Sequence, residues 1–254
     1  MTRTVHRVLK ADPVMAALIE LAGPCRIEPR PERAPFEALA RAIAHQQLHG
    51  VAAERILARF VALFTDTPFP QPHHVLGASD AQLRAVGFSF AKVAALKDLA
   101  AKTLAAVVPS PAEFEALSDL QIIERISAVR GIGRWTVEMM LIFQLRRPDV
   151  LPVDDFGVRN GFRLAYGLKA MPTPRALAQF GERWKPHRST AAWYLWRAVD
   201  LARQARLPRC EQPPRIALVK AAVKRAVPRA KVRAKPRSKP KTAASKRAAG
   251  RRRP

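Results

Sequence analysis

Three features of the sequence predict an all-α fold. Apolar residues recur at helical spacing over most of the first 212 positions, alanine is abundant there, and no run of alternating β-branched residues offers a strand or a strand pair. The first long stretch, residues 36–64, places Phe36, Leu39, Ile43, Leu48, Val51, Ile56 and Phe60 close to an i, i+3/i+4, i+7 pattern, which predicts helix. Residues 80–86 and 91–107 repeat the theme. Pro109-Ser110-Pro111 then breaks the chain, and Ser118-Asp119 offers a helix cap. Further helices are expected over 120–128, 135–145, 155–165, 175–180 and 190–205.

Composition narrows the class. The 254 residues carry 45 Lys+Arg against 20 Asp+Glu, a formal net charge of +25, and 48% are hydrophobic, enough for a core. At ~150 residues per domain the length allows one or two compact units. Two distant cysteines, Cys25 and Cys210, exclude a disulfide scaffold, a four-cysteine zinc site and a four-thiolate iron–sulfur cluster. No run of 18 apolar residues is present, and the N-terminal MTRTVHRVLKADP lacks the apolar block of a secretory signal, so a cytoplasmic protein is expected.

The charge is concentrated at one end. Residues 215–254 hold 16 Lys and Arg and no acid, with Pro, Ala and Ser between them. Like charges repel, proline removes backbone donors and little apolar surface is available to bury, so residues 213–254 are expected to form a disordered tail after a folded core of 1–212. Only residues 216–227 have the pattern of a short basic amphipathic helix. Such a tail suits nucleic acid, because attraction to phosphate is independent of base sequence. It lacks the aromatic or leucine face that would enter a membrane.

Two short motifs carry the chemistry. In Arg130-Gly131-Ile132-Gly133-Arg134-Trp135-Thr136, two glycines separated by one apolar residue permit a very tight turn between helices. Such a turn offers backbone N–H groups to a phosphate at the start of the next helix, while Ile132 points back and locks the pair. Twenty residues on, Pro152-Val153-Asp154-Asp155 places an acidic pair where a helix N-cap belongs. One Asp would cap the helix while the other faces a cleft. An anion in a chain that seeks DNA needs a reason, and stabilising a developing cation supplies one.

This order of helix, Gly-Ile-Gly, helix and Pro-Val-Asp-Asp resembles the helix-hairpin-helix DNA glycosylase superfamily, and the hairpin residues resemble its alkylpurine branch, the 3-methyladenine DNA glycosylase II type. Gln46-Gln47-Leu48 on an early helix, residues 87–92 before a helix, and Trp184-Lys185-Pro186-His187-Arg188-Ser189 leading to Trp196 agree with that branch over roughly residues 35–205. The resemblance implies a two-lobed helical bundle with a cleft and a hairpin motif at about 120–146. It implies a monomeric, monofunctional enzyme that excises alkylated purines such as 3-methyladenine and 7-methylguanine from duplex DNA. The catalytic aspartate falls on Asp155, with Asp154 as its neighbour by a one-residue shift of register. Trp135 and Trp196 become the base pocket. Gln47, Leu48 and His49 become the wedge that fills the vacated stack, and Arg130, Gly131, Ile132, Gly133, Arg134 and Thr136 the DNA grip. In bifunctional relatives a lysine stands where this chain has Trp135, so no lyase chemistry is expected.

No organic cofactor or metal is implied, although hairpins of this family hold a monovalent cation on main-chain carbonyls. Two rival functions carry the same residues: a glycosylase for deaminated or oxidised bases, and a non-catalytic helix-hairpin-helix DNA-binding protein. The paired histidines His73-His74 are expected on the surface of a Pro-rich loop, and His187 at a phosphate or on the surface.

Overall fold

Short polar side chains set most of the helix starts in the computed structural model, which describes residues 3–27, 33–208, 210, 213–216 and 218. Two helices open the chain, α1 (Arg3–Lys10) and α2 (Pro13–Ala22). Asp12 caps the second by accepting from the N–H groups of Val14 and Met15, with Pro13 where its missing donor costs nothing. Eight helices follow: α3 (Pro35–His45), α4 (Gly50–Ala62), α5 (Pro72–Gly77), α6 (Asp80–Ala85), α7 (Phe90–Leu104), α8 (Pro111–Ala116), α9 (Asp119–Ser127) and α10 (Arg134–Phe143). Reciprocal side-chain caps start α6 (Ser79 with Gln82), α8 (Ser110 with Glu113) and α9 (Ser118 with Gln121), and Ser89 caps α7. The chain then forms α11 (Phe156–Ala165), α12 (Pro174–Gly181), a 3-10 turn at Glu182–Trp184 and α13 (Arg188–Arg203). Among the described residues the only β pairing is one isolated antiparallel bridge, Pro172 to Leu218.

Two hydrophobic cores divide these helices into lobes. The first is built from α3 to α10 around Ile43, Leu57, Phe60, Leu96, Ile126 and Leu141, with Phe60 edge-on to Phe69 and Phe88. The second draws Leu9, Met15 and Leu18 from the start of the chain onto Phe162, Leu177, Trp184, Tyr194 and Leu195 from its later part. Val150 belongs to the first core and Leu151 to the second, so the chain crosses between lobes at that peptide. Trp196 packs against both. In the second lobe α11 and α13 meet at backbone contact: a Cβ added to Gly161 would lie 1.8 Å from the carbonyl oxygen of Leu195.

The all-α, two-lobed expectation holds, with local corrections. Residues 36–64 form two helices, because α3 stops at His45 and α4 begins at Gly50. Helices α1, α2, α5 and α8 were not anticipated, and Pro111 starts α8 where a simple break was expected. His74 lies in α5 and is not a free surface group: its ring accepts from the Gln71 N–H (3.0 Å), faces Asp66 at 3.2 Å and stacks on Phe64. Ile216 and Leu218 pack against the second core in non-helical backbone, so the amphipathic helix expected from 216 does not begin there. The rest of that stretch, and the basic segment from residue 219 on, lie outside the described residues.

One helix cap yields a pH prediction. The Ser110 N–H donates to the Glu113 carboxylate at 2.8 Å and Arg125 donates to it at 3.0 Å, which holds the carboxyl at about 2, below its ordinary 4.5. The value is depressed in the fold, so this contribution to stability is present above pH 4.5 and is lost as the pH falls toward 2. Carboxyl-carbon NMR titration of Glu113 is expected to give a midpoint near 2, and an ordinary midpoint would show the cap open in solution.

Candidate active site

The hairpin is supported from outside its own sequence. Gly131 stands at φ 75, the left-handed conformation a side chain would resist, whereas Gly133 at φ −93 needs no such freedom and caps α10. Ile132 is buried in the first core, as its spacing predicted. Three side chains hold the turn: Asp98 accepts from the Arg130 N–H (2.6 Å), Lys102 donates to the Ala128 carbonyl, and Gln46 donates to the Gly131 carbonyl (2.8 Å). The side chains of Arg130 and Arg134 stand at the surface and Thr136 is half-buried. The N–H groups of Arg134 and Trp135 open α10, where the preceding turn has no carbonyl for them.

Asp155 combines the two roles expected of separate residues. It caps α11, with Oδ1 accepting from the Val158 N–H at 2.7 Å, and it also faces the tryptophans. The Trp196 indole donates to the same Oδ1 at 2.9 Å, and the Trp135 indole donates to Oδ2 at 2.7 Å. Three N–H donors on one carboxylate leave room for about one further partner, on Oδ2. Trp135 reaches Asp155 from the hairpin helix and remains 48% exposed. Trp196 reaches it from α13, with its ring stacked on Phe143 at 5.7 Å. Gly157 makes the second approach possible, since a Cβ there would lie 2.8 Å from Trp196 Cδ1. Asp154 is exposed beside this arrangement. Trp184 is fully buried in the second core.

A second acid lies beneath the pair. Glu138, one turn along α10 from Trp135, is 1% exposed and accepts from the Arg134 guanidinium at 2.8 Å. Burial raises its carboxyl above the ordinary value, Arg134 draws it back down, and the charges of Asp154 and Asp155 push it up again. The linker from α10 to Asp155 is clamped to α13. Arg188 grips Asp149 through two parallel hydrogen bonds of 2.8 and 3.0 Å, and the Ser189 hydroxyl donates to the Arg147 carbonyl while accepting from the Val150 N–H. Nothing in the sequence pattern alone marked Glu138 or Asp149, and Ser189 stood only at the end of the 184–189 stretch, with no role given to it. A buried acid four residues after an arginine on one helix, and the glycine pair Gly157 and Gly161 on the next, were the available signals.

Gln47, Leu48 and His49 form the turn between α3 and α4, not part of a helix, and all three are exposed. Gln47 is left-handed at φ 57. His187 is half-buried at the start of α13, with its Nε2 turned inward, so it does not lie open to phosphate at that atom. Among the described residues no group of three or more His, Cys, Asp and Glu side chains could hold a metal. The carbonyls of Ala128, Val129, Gly131 and Gly133 each accept a hydrogen bond, from Lys102, the Ile132 N–H, Gln46 and the Thr136 N–H, and a monovalent cation of the kind the resemblance implies would be held by lone pairs of turn oxygens that these bonds leave free. No chemical step passes through it.

Fold and site together define a two-lobed helix-hairpin-helix protein with an indole-held carboxylate at the seam of its lobes. The chain belongs to the HhH-GPD superfamily of base excision DNA repair proteins, whose family model matches residues 40–187. It is 42% identical over 186 residues to DNA-3-methyladenine glycosylase 1 of Schizosaccharomyces pombe, covering 73% of this chain and 82% of that protein. The solved structure of the S. pombe 3-methyladenine DNA glycosylase in complex with abasic DNA has a TM-score of 0.69 at 40% identity, covering 78% of this chain and 98% of that one. A DNA-3-methyladenine glycosidase from Bacillus halodurans gives a TM-score of 0.72 at 30% identity, covering 80% and 92%. Among the described residues no helix is long and apolar enough to cross a membrane.

Proposed function

We propose that this chain is a monofunctional DNA-3-methyladenine glycosylase of base excision repair, acting as a monomer on alkylated duplex DNA in the cytoplasm. The observation that carries the reading is Asp155, held by two indole N–H groups immediately behind the hairpin turn. The membership in a DNA repair superfamily and the names of its relatives support it.

The chemistry follows from the substrate. A base inside a duplex is out of reach, so the nucleotide is flipped into the cleft and the Gln47–His49 turn fills the gap. The alkylated purine is cationic and departs as a neutral base when the C1′–N bond breaks and its electron pair leaves with the base. The sugar passes through an oxocarbenium-like state, and water adds its oxygen to C1′ and gives up a proton. Asp155, through the free side of Oδ2, would stabilise that cation or orient the water. A leaving group that is already charged needs little acid catalysis. Trp135, half-exposed at the mouth, offers an indole face to a cationic base, an attraction worth ~0.5–2 kcal/mol. Trp196 has one face on Phe143 and acts mainly by holding the carboxylate. With Trp135 at the place of the bifunctional members' lysine, the abasic product is left uncut.

The test is mass analysis of the bases released from methylated duplex DNA. Release of 3-methyladenine and 7-methylguanine is expected. Intact DNA would make the chain a binding protein only, and release confined to deaminated or oxidised bases would move it to another substrate class.

The basic end of the chain belongs to the same proposal, as a non-specific grip on phosphate. Residues 221–254 hold 14 of the 45 Lys and Arg. Truncation after Lys220 keeps Leu218 on the core and is expected to flatten the log affinity against log salt plot by ~0.9 for each phosphate that is no longer neutralised. An unchanged slope would show that the segment does not touch DNA.

A further inference from the structure

The end of α3, next to the wedge candidates, and the hairpin are 85 residues apart in sequence and are joined directly by the Gln46 side chain, whose amide donates to the Gly131 carbonyl at 2.8 Å. Gln46 is the residue between the end of α3 and Gln47, whose left-handed backbone is held only where its surroundings impose it. Those surroundings are specific. Lys92 donates to the Ala44 carbonyl at 2.7 Å, covering the end of α3, and His45 meets Glu54 at 3.0 Å across the turn. Lys92 comes from α7, the helix that also supplies Asp98 and Lys102 to the other side of the hairpin. One helix therefore underlies both segments, and Gln46 closes the connection between them directly.

We infer that Gln46 is a positioning residue that locks the Gln47–Leu48 turn to the hairpin, so that gripping the DNA backbone and entering the base stack occur as one rigid movement. The inference rests on the glycosylase function proposed for the site. It assigns Gln46 no contact with the reacting atoms. Its work is done while a paired base is being unstacked, and it has little to do when the lesion is already unpaired, because extrusion is then far easier.

Single-turnover base release separates the two cases. Wild type, Gln46→Ala and Gln46→Met, which keeps the side-chain length but has no donor, are compared on 7-methylguanine paired with cytosine and on the same lesion opposite an abasic gap. Loss of one neutral hydrogen bond is expected to slow release from the paired lesion by about five- to tenfold in both variants. Release from the unpaired lesion and affinity for undamaged duplex are expected to hold, and the thermal melt to fall by no more than about 5 °C, alike in both variants. Equal slowing on both substrates, or slowing on neither, would overturn the inference. A wild type that releases base from neither substrate would instead bring down the glycosylase function, and this inference with it.

Discussion

Asp155→Asn is expected to slow base release by about 100- to 1000-fold, the cost of removing one preorganised electrostatic partner from a transition state. Two effects act together. The anion opposite the developing sugar cation is lost, and the new amide nitrogen would face the Trp135 indole N–H, donor against donor, where a 2.7 Å hydrogen bond stood. The loss would not come from unfolding, because Asn caps a helix about as well as Asp and its oxygen can still serve Val158 and Trp196. Melting temperature and affinity for duplex DNA are therefore expected to stay close to wild type, measured by calorimetry and by anisotropy on a labelled duplex. Asp154→Asn, at an exposed position, is expected to keep most activity. If Asp154→Asn is the inactive variant and Asp155→Asn is not, the catalytic assignment is wrong.

Gly161→Ala is expected to be the most damaging glycine-to-alanine change among the described residues. In an exposed helix, replacing glycine with alanine stabilises by ~1 kcal/mol. Here the added carbon would lie 1.8 Å from the Leu195 carbonyl oxygen, so α11 and α13 must move apart. Overpacking against backbone costs about 3 kcal/mol, and at ~2–4 °C per kcal/mol for a chain of this size the melt should fall by about 6–12 °C. Base release should fall with it, because one helix carries Asp155 and the other Trp196. A melt that rises would show that the two helices do not touch at this position.

The parts legible in the sequence are those written by local chemistry. The glycine turn, buried Ile132 and the Asp at a helix start each need only their neighbours, and each lies where spacing put it. The break between α3 and α4 was not legible, because the apolar pattern runs on through Ile43, Leu48 and Val51 and the first glycine comes only at Gly50. What ends α3 is partly distant: Lys92, 48 residues on, takes the Ala44 carbonyl. Helices α1 and α2 had too little amphipathic length to announce themselves, although Asp12-Pro13 is a cap signal. The division of labour at the acidic pair was also hidden. Whether capping and cleft-facing fall on one Asp or two depends on α13, which brings the Trp196 indole to Asp155 from 41 residues away.

The second lobe takes its core from both ends of the described chain, while the hairpin lobe is one uninterrupted stretch between them. Synthesis runs from the N-terminus, and domains gather as they emerge. Asp155 caps α11 in the second lobe, and its carboxylate takes one indole from the hairpin helix made before it and gains the second only when α13 follows. A chain that ends before α13 therefore lacks the Trp196 half of the support for the Asp155 carboxylate.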